Sequence, residues 1–432
     1  MLAVVVAALG YFVDLYDLVI YSVVRVRSLG APDGLGLPPA EPGRGATFLE
    51  QLQALLGILT GQQPGDVTSA GLVILNAQLV GMVLGGIAWG VLGDRRGRLT
   101  VLFGSILLYS VANLGNAFVQ TVPQYAFLRF VAGFGLAGEL GAGITLVSEL
   151  MSRSGRGWGT TIVAGVGLLG PIAASIVGQA VHWRTAYIIG GIMGLSLLVI
   201  RIGVVESGLF EATRTTSVRR GSLTMLLWPP SRLRRYLCVV FTGVPIWFVG
   251  GIVFVFAPEL GRALGLPAGE HGRPSVVDPA VVILCGYAGA ATGDIVSGVI
   301  SQLLRSRKWT IGAFLTLLGI SGAVFFKAGG NSLVGFYALV YVMGLATGYW
   351  AIFVTVASEV FGTNLRATAT TTAPNFVRGF AVVITTAWEL LKGPVGSVPA
   401  AALVGAVTLA LGFAALAGLP EPFGRCLDFQ EE

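Results

Sequence analysis

Six ionisable side chains lie inside long apolar runs of the sequence, where a charge is costly to bury. They are Asp14, Asp17, Arg129, Glu139, Asp294 and Arg378. Charges at the depth of a lipid bilayer are rare and mark the path of a solute or a proton. These six residues are therefore the first candidates for chemistry in this chain.

Asp17 and Arg129 are the leading candidates for proton coupling. With a rise of about 1.5 Å per residue, both lie at a similar depth below one end of their runs. A buried carboxylate can change its protonation state when a neighbouring arginine moves. Asp14 shares a helix face with Asp17, and Glu139 is the second choice as proton carrier. A permanent structural ion pair is the alternative interpretation.

Arg378 is the leading candidate for binding a substrate. It follows Pro374 and Asn375, and a proline in a membrane helix frees backbone acceptors. A guanidinium near the middle of the membrane would match a carboxylate or a phosphate through two hydrogen bonds. The alternative is that Arg378 only neutralises Asp294 or Glu139.

Other side chains complete the candidate substrate site. Asn375, Tyr21 and Asp294 are polar groups within the runs, and Trp247 with Trp350 could form an apolar wall. Packing is the more ordinary use of each tryptophan. Buried amides often only join helices by hydrogen bonds, and this is the expected role of Asn76, Gln78 and Gln179.

The elements that position these residues are membrane helices. The chain is 54% hydrophobic and 11% charged, with a mean hydropathy of +0.82, whereas a soluble domain carries roughly 25% charged residues. We predict an all-α membrane protein with about twelve spans, each long enough for about 30 Å of hydrocarbon. The spans are 2–25, 67–92, 100–118, 123–150, 158–181, 184–205, 235–258, 278–303, 309–327, 331–358, 366–390 and 397–417.

The chain divides into two six-helix halves. The predicted parts are an N-terminal bundle 1–205 with a long outer loop 26–66, a cytoplasmic linker 206–234, a C-terminal bundle 235–417 and a cytoplasmic tail 418–432. If both termini are cytoplasmic, about sixteen lysines and arginines lie inside and about eight outside, as the positive-inside rule requires. The net charge of +6 then reflects an inner-membrane topology and contact with anionic lipid; it does not indicate nucleic-acid binding.

The two halves repeat a motif of Glu, six residues and Arg. Glu149 with Arg156 follows the fourth span, and Glu359 with Arg366 follows the tenth. Parallel repeats of this kind occur in membrane transporters. We interpret these residues as parts of a gate that opens and closes the inner face, in preference to substrate ligands.

The segment Gly90–Arg98, GVLGDRRGR, lies between the second and third spans. It resembles the loop at this place in major facilitator superfamily transporters, which have Gly, three residues, Asp-Arg, one residue and Gly-Arg. The matching gating residues are Gly90, Asp94, Arg95, Gly97 and Arg98. Asp94 could lie against a helix N-terminus and hold one conformation. An ordinary positively charged turn is the alternative.

Two further motifs resemble the metabolite:proton symporter branch of that superfamily. They are Asp14–Tyr21, DLYDLVIY, and Arg129–Glu139, RFVAGFGLAGE. Glu149 with Arg156 and Glu206 resemble signatures of sugar-porter relatives. Unlike that branch, this chain lacks an N-terminal tail before its first span, and loop 26–66 is unusually long. The resemblance implies the major facilitator fold and proton-coupled transport of small metabolites.

We therefore predict a secondary transporter that moves a small organic solute, most simply an anion, by proton-coupled symport with alternating access. A proton-linked exporter, an uncoupled facilitator and a non-transporting receptor are the alternatives. No enzyme activity, cofactor or metal is expected. The sequence has three cysteines and no phosphate-binding Gly-rich motif, and its two histidines fall outside the spans, so a carboxylate must carry the proton. The expected partners are solute, protons and lipid, with the protein acting as a monomer.

Overall fold

The computed structural model describes residues 2–38, 65–96, 98–139, 165–201, 223–269 and 276–424, together with residues 163 and 431. These residues are almost entirely helical. In the first half the helices are α1 (Leu2–Leu29), α2 (Val67–Arg96), α3 (Arg98–Asn116), α4 (Val122–Leu136), α5 (Leu169–Ala180) and α6 (Trp183–Arg201). Each of the first six predicted spans therefore contains a helix.

The second half begins with a short helix and contains the six remaining predicted spans. Its helices are α7 (Leu223–Leu227), α8 (Pro230–Phe248), α9 (Ala257–Ala263), α10 (Pro279–Leu303), α11 (Arg307–Ala328), α12 (Leu333–Thr347), α13 (Trp350–Val360), α14 (Thr363–Val395) and α15 (Ser397–Gly418). A π-helical turn, Val249–Phe254, connects α8 to the segment before α9.

Eight helical stretches within the described residues are long and apolar enough to cross a membrane, and two shorter apolar helices accompany them. Helix α14 is not among the eight, although its 33 residues exceed the length of a membrane span. Its charged side chains include Arg378, Glu389 and Lys392, and charges lower the mean hydropathy on which such a test depends. These buried charges, together with the threonines and Asn375 of the same helix, account for the low hydropathy of α14.

Helix starts follow local capping rules. Ser306 and Ser332 each accept a hydrogen bond from a backbone N–H three residues later, at 3.1 and 3.0 Å. Asp278 accepts from the N–H of Ala280 at 2.8 Å. These side chains satisfy donors that a helix leaves free in its first turn, so the polar residue before each apolar run sets where α10, α11 and α12 begin.

Two spans that the sequence predicts as continuous, 235–258 and 331–358, are interrupted. The first contains Pro245 in α8 and then changes to the π-helical turn. The second stops at Gly348 and restarts at Trp350. The backbone of Gly348 lies against that of Gly293 on α10 with no room for a side chain, so the close approach of two helices fixes the break.

Several predicted boundaries move. Helix α1 continues to Leu29, four residues beyond the predicted end at position 25, so Arg27 also lies within the helix. Helix α8 begins at Pro230, five residues before the predicted start, because proline suits the first turn of a helix. The segment expected to be a loop after Gly90 is helical as far as Arg96, and α3 begins at Arg98.

The helices pack in two groups, α1–α6 and α8–α15, which meet along a few pairs. Helix α2 lies against α14, α5 against α10, and α1 against α10. Thr385 on α14 donates to Asn76 Oδ1 on α2 at 2.9 Å, and Ser175 on α5 donates to the carbonyl of Ala280 at 2.6 Å. The groups therefore touch through helices that flank a central space.

Candidate functional site

A cavity of about 90 Å³ lies between the two groups of helices. Helices α1 and α2 form one wall, and α8, the π-helical turn, α10, α13 and α14 form the other. Its polar or aromatic lining residues include Tyr11, Ser22, Gln78, Trp247, Phe254, Tyr287, Asp294, Thr347, Trp350 and Arg378. A cavity needs roughly 10–15 Å³ to hold one water molecule, so this cavity has room for a small solute.

Arg378 is the cationic group of the cavity. Its side chain is 1% exposed, and its guanidinium lies 5.7 Å from the centre of the Trp350 ring. One terminal nitrogen donates to Asn375 Oδ1 at 3.4 Å, whereas Nε has no hydrogen-bond partner. Among the described residues Arg378 forms no ion pair.

Asn375 holds Arg378 in place and does not line the cavity. Its amide nitrogen donates to the carbonyls of Ala137 at 3.0 Å and Thr371 at 2.9 Å, which ties α14 to the end of α4. The amide oxygen is then directed to Arg378. Asn375 therefore couples the position of the guanidinium to the contact between the two groups of helices.

Asp294 lines the cavity beside Trp350, where α13 begins. Its Oδ1 accepts a hydrogen bond from the N–H of Ala351 at 3.2 Å. The free N–H groups and the dipole at a helix N-terminus favour a negative charge there. The interruption after Gly348 creates this helix start, so it also positions the carboxylate.

The aromatic side chains of the cavity include the two predicted tryptophans and also residues that were not predicted. Trp247 and Trp350 line the cavity as proposed, and Phe254 on the π-helical turn joins them. The apolar side chains of Leu75 and Leu79 lie on the opposite wall. Flat apolar surfaces with few polar groups are typical of sites for small organic ligands.

Asp17 and Arg129 lie together, but their contact differs from the predicted ion pair. One guanidinium nitrogen of Arg129 donates to the backbone carbonyl of Asp17 at 3.0 Å, and the other to Asn113 Oδ1 at 3.2 Å. Neither carboxylate oxygen of Asp17 accepts a hydrogen bond from a described residue. A helical side chain points away from the carbonyl of its own residue. Asp17 and Arg129 lie at the same depth, but the guanidinium therefore meets the carbonyl of Asp17 and not its carboxylate.

The surroundings of Arg129 are aromatic and fully buried. Its guanidinium lies 5.7 Å from the ring centres of both Tyr21 and Tyr187. Tyr21, predicted as a substrate ligand, donates its hydroxyl to the carbonyl of Gly71 at 3.0 Å and does not line the cavity. Asp14 is also buried, on the same helix as Asp17. Carboxylates and arginine thus form a cluster behind the cavity wall.

An ion pair joins the two groups of helices at the end of the bundle where α1 stops, here called the Leu29 end. Arg25 on α1 donates to both carboxylate oxygens of Glu259 on α9 at 2.8 Å and to the carbonyl of Val255 at 3.0 Å. Its guanidinium lies 4.6 Å from the ring centre of Phe256, and Thr68 donates to Glu259 at 3.2 Å. Arg25 is fully buried, and it is the last residue of the first predicted span.

The predicted gating residues are only partly described. Glu149 and Arg156 lie outside the described residues, as does Gly97; the side chains of Asp94, Arg95, Arg98 and Arg366 are likewise outside the description. Gly90 faces Thr372 on α14. Glu359 pairs with Arg307 at 3.2 Å, a partner on α11 that the Glu-to-Arg spacing did not indicate.

Glu139, the second predicted proton carrier, is 2% exposed at the end of the described part of the fourth span. It is not among the cavity-lining residues. Within the described residues there is no group of three His, Cys, Asp or Glu side chains close enough to hold a metal ion.

Comparison with known proteins identifies the family. A profile of the Major Facilitator Superfamily matches residues 46–386. The 3-(3-hydroxy-phenyl)propionate transporter of Escherichia coli is 26% identical over 308 residues, which cover 69% of this chain and 72% of that protein. The putative niacin/nicotinamide transporter NiaP of Bacillus subtilis is 26% identical over 311 residues, covering 69% and 73%.

A shorter match and a solved structure agree with this result. The 4-hydroxybenzoate transporter PcaK of Pseudomonas putida is 32% identical over 151 residues, which cover 33% of each chain. The proton:xylose symporter XylE bound to 6-bromo-6-deoxy-D-glucose superposes with a TM-score of 0.70 at 17% identity, covering 99% of this chain and 97% of that one. The latter likeness confirms the predicted fold. The chain belongs to the Major Facilitator Superfamily and is a multi-pass membrane transporter of small solutes, not an enzyme.

Proposed function

We propose that this transporter moves a small organic anion with an aromatic or other flat apolar body, by symport with protons. The observation that carries the proposal is Arg378, a buried cation that lines the cavity and forms no ion pair with a described residue. A buried charge without a partner is costly. A carboxylate on the solute would supply the missing negative charge and the bidentate geometry that a guanidinium favours.

The remaining lining supports an aromatic body for the solute. Trp247, Trp350 and Phe254 offer flat apolar surfaces next to the guanidinium. Relatives named for 3-(3-hydroxy-phenyl)propionate and 4-hydroxybenzoate transport are consistent with this chemistry.

Proton coupling is assigned to the cluster of Asp17 and Arg129, with Asp14 beside it and Glu139 at the end of the described fourth span. Arg129 holds the backbone of Asp17, and its charge acts on the Asp17 carboxylate. Protonating a buried carboxylate removes a charge that is costly in the interior. The transporter with bound solute and protonated Asp17 can therefore change conformation more readily than the transporter with ionised Asp17. The two helix groups would rock around the cavity in the manner of alternating access.

The proposed orientation places both termini in the cytoplasm and the Leu29 end outside the cell. The excess of lysine and arginine at the opposite end supports this topology, with the protein acting as a monomer in an inner membrane. The closed Leu29 end would then be a closed outer entrance.

Uptake into proteoliposomes tests the function. With benzoate or nicotinate outside, an inward proton gradient should drive accumulation that a proton ionophore abolishes. Asp17→Asn should abolish this concentrative uptake and leave exchange of labelled for unlabelled solute intact, because the variant mimics a permanently protonated carboxylate. Asp33→Asn, which removes an exposed carboxylate, is the control.

The outcomes separate the alternatives. Accumulation that persists in Asp17→Asn would show that this residue does not couple the proton. Equilibration without accumulation in the wild-type protein would indicate an uncoupled facilitator, and gradient-driven efflux an exporter. Absence of both uptake and exchange across the tested solutes would favour a receptor.

A further inference from the structure

Gln78 is a buried amide without a hydrogen-bond partner among the described residues. It lies on α2 with 1% of its side chain exposed, and it lines the cavity. Neither its Oε1 nor its Nε2 makes a hydrogen bond with a described residue. Buried polar groups in native proteins are nearly always hydrogen-bonded, and one that is not calls for an explanation. A polar group of the bound solute would satisfy both atoms.

Contacts between α2 and α14 place Gln78 relative to Arg378. Asn76 is level with Thr385, and Gly86 is level with Asn375, so Arg378 is level with position 83 of α2. Gln78 therefore lies about five residues, or roughly 7 Å, closer to the Leu29 end at 1.5 Å per residue. Because the two residues lie at different depths on opposite walls of the cavity, their side chains can contact opposite ends of one small solute.

Most of the cavity lining near Gln78 is apolar. Leu75 and Leu79 flank Gln78 on α2, and Trp247 and Phe254 face them from the other group of helices. The cavity is thus largely apolar, with a cation towards one end, an amide towards the other and a few further polar side chains in its lining. A carboxamide presents a donor and an acceptor side by side, and a hydroxyl group, which both donates and accepts, is its simplest neutral complement.

We propose that Gln78 is a specificity-determining residue that hydrogen-bonds a hydroxyl group on the solute, at the end of the ring opposite the carboxylate. The inference rests on the proposed function only in placing the carboxylate of the solute at Arg378. The role of Gln78 itself depends on its own amide, which has no hydrogen-bond partner among the described residues. A site built to hydrogen-bond a hydroxyl discriminates against the analogue without it, since the analogue leaves the buried amide unpaired.

The test is a matrix of four ligands that differ only in the two groups: 4-hydroxybenzoate, benzoate, 4-hydroxybenzamide and benzamide. Affinities are measured by isothermal titration calorimetry on the purified full-length protein in lipid nanodiscs. We expect the wild type to bind each hydroxylated ligand about tenfold more tightly than its partner. In Gln78→Met, which keeps length and removes the amide, this preference should disappear while benzoate binding is retained.

Gln179→Met is the matched control, because Gln179 is an exposed glutamine on α5 outside the cavity lining. It should keep the wild-type hydroxyl preference. Equal affinity of the wild type for hydroxylated and plain ligands in both series, or a preference that survives Gln78→Met, would overturn the role of Gln78. If the wild type binds the two acids and the two corresponding amides equally tightly, the proposed anion specificity is wrong. A preference for the hydroxylated ligand among both the acids and the amides would still support the role of Gln78.

Discussion

Arg378 is the residue whose environment carries most information about the solute. It is buried, it donates a hydrogen bond to Asn375, its guanidinium lies over the Trp350 ring, and it lines the cavity. A guanidinium held by one weak hydrogen bond keeps most of its donors for a ligand. Its role can be separated from a purely structural one by varying the charge of the ligand.

We expect Arg378→Gln to weaken binding of nicotinate by about 10- to 100-fold, the usual worth of hydrogen bonds to a charged group. Binding of neutral nicotinamide, which has the same ring, should change little. Calorimetry or a ligand-induced shift in melting temperature measures both. Arg378→Lys is the matched variant, since it keeps the charge and loses the planar fork; it should give an intermediate loss. An equal loss for both ligands would remove Arg378 from anion recognition.

The depth of the charged residues along the helices could be predicted from the sequence, but the direction in which each side chain points could not. Asp294, Arg378, Trp247 and Trp350 line the cavity, as proposed from their depth in the spans. Gln78 was assigned to helix joining, because sequence does not give the rotation of α2 about its axis. Rotation depends on tertiary packing, and it decides whether an amide meets another helix or an empty space.

At the scale of elements, helix existence was predictable and helix interruption was not. Apolar runs of membrane length locate the helices, since the backbone must satisfy its own hydrogen bonds in lipid. The restart at Trp350 depends on the contact between Gly348 and Gly293, which are distant in sequence. The same contact generates the helix N-terminus at which Asp294 is bound.

Glu421, which lies beyond the last helix, stabilises the first turn of α11. It accepts hydrogen bonds from Ser306 Oγ and from the backbone N–H groups of Arg307, Lys308 and Phe423. Partial burial alone would raise the pKa of the Glu421 carboxyl, but these hydrogen bonds outweigh it and lower the pKa below its usual value. The carboxylate therefore caps α11.

We expect Glu421→Ala to lower the melting temperature at neutral pH, because α11 loses its cap. A carboxyl whose pKa is lowered on folding stabilises the protein above its ordinary pKa and loses this effect as the pH falls through the lowered value. The difference between wild type and variant should thus shrink as the pH is reduced below about 4. Asp33→Asn is the control. A difference independent of pH would exclude ionic capping.

At the scale of the whole molecule, the two helix groups are joined differently at different depths. Helices α2 and α14 touch at Asn76 with Thr385 and again at Gly86 with Asn375, so this seam runs along their length. The Leu29 end is closed by side chains, with Arg25 from one group and Glu259 from the other. A contact made by two side chains can break without repacking helices, which is the property that a gate requires.

We expect the Arg25–Glu259 pair to hold the Leu29 end closed over the cavity. Arg25→Gln or Glu259→Gln should favour opening of this end, because removing one partner of a buried pair costs about 3 kcal/mol or more and the closed state alone contains the pair. Ser22, which lines the cavity below Arg25, is replaced by cysteine in a background without Cys238, Cys285 and Cys426. Labelling by a membrane-impermeant maleimide added to whole cells then reports access from outside.

Each single variant should increase the labelling rate, and a saturating solute should lower it again if solute and reagent share the cavity. The exchanged pair, Arg25→Glu with Glu259→Arg, is the matched control, since it restores opposite charges at the same place and should return labelling towards the wild-type rate. Melting temperatures of all variants separate opening from unfolding. If labelling stays at the wild-type rate in both single variants while they remain folded, the ion pair stabilises the bundle without controlling access. Closure must then depend on helix packing, such as that of α1 against α10.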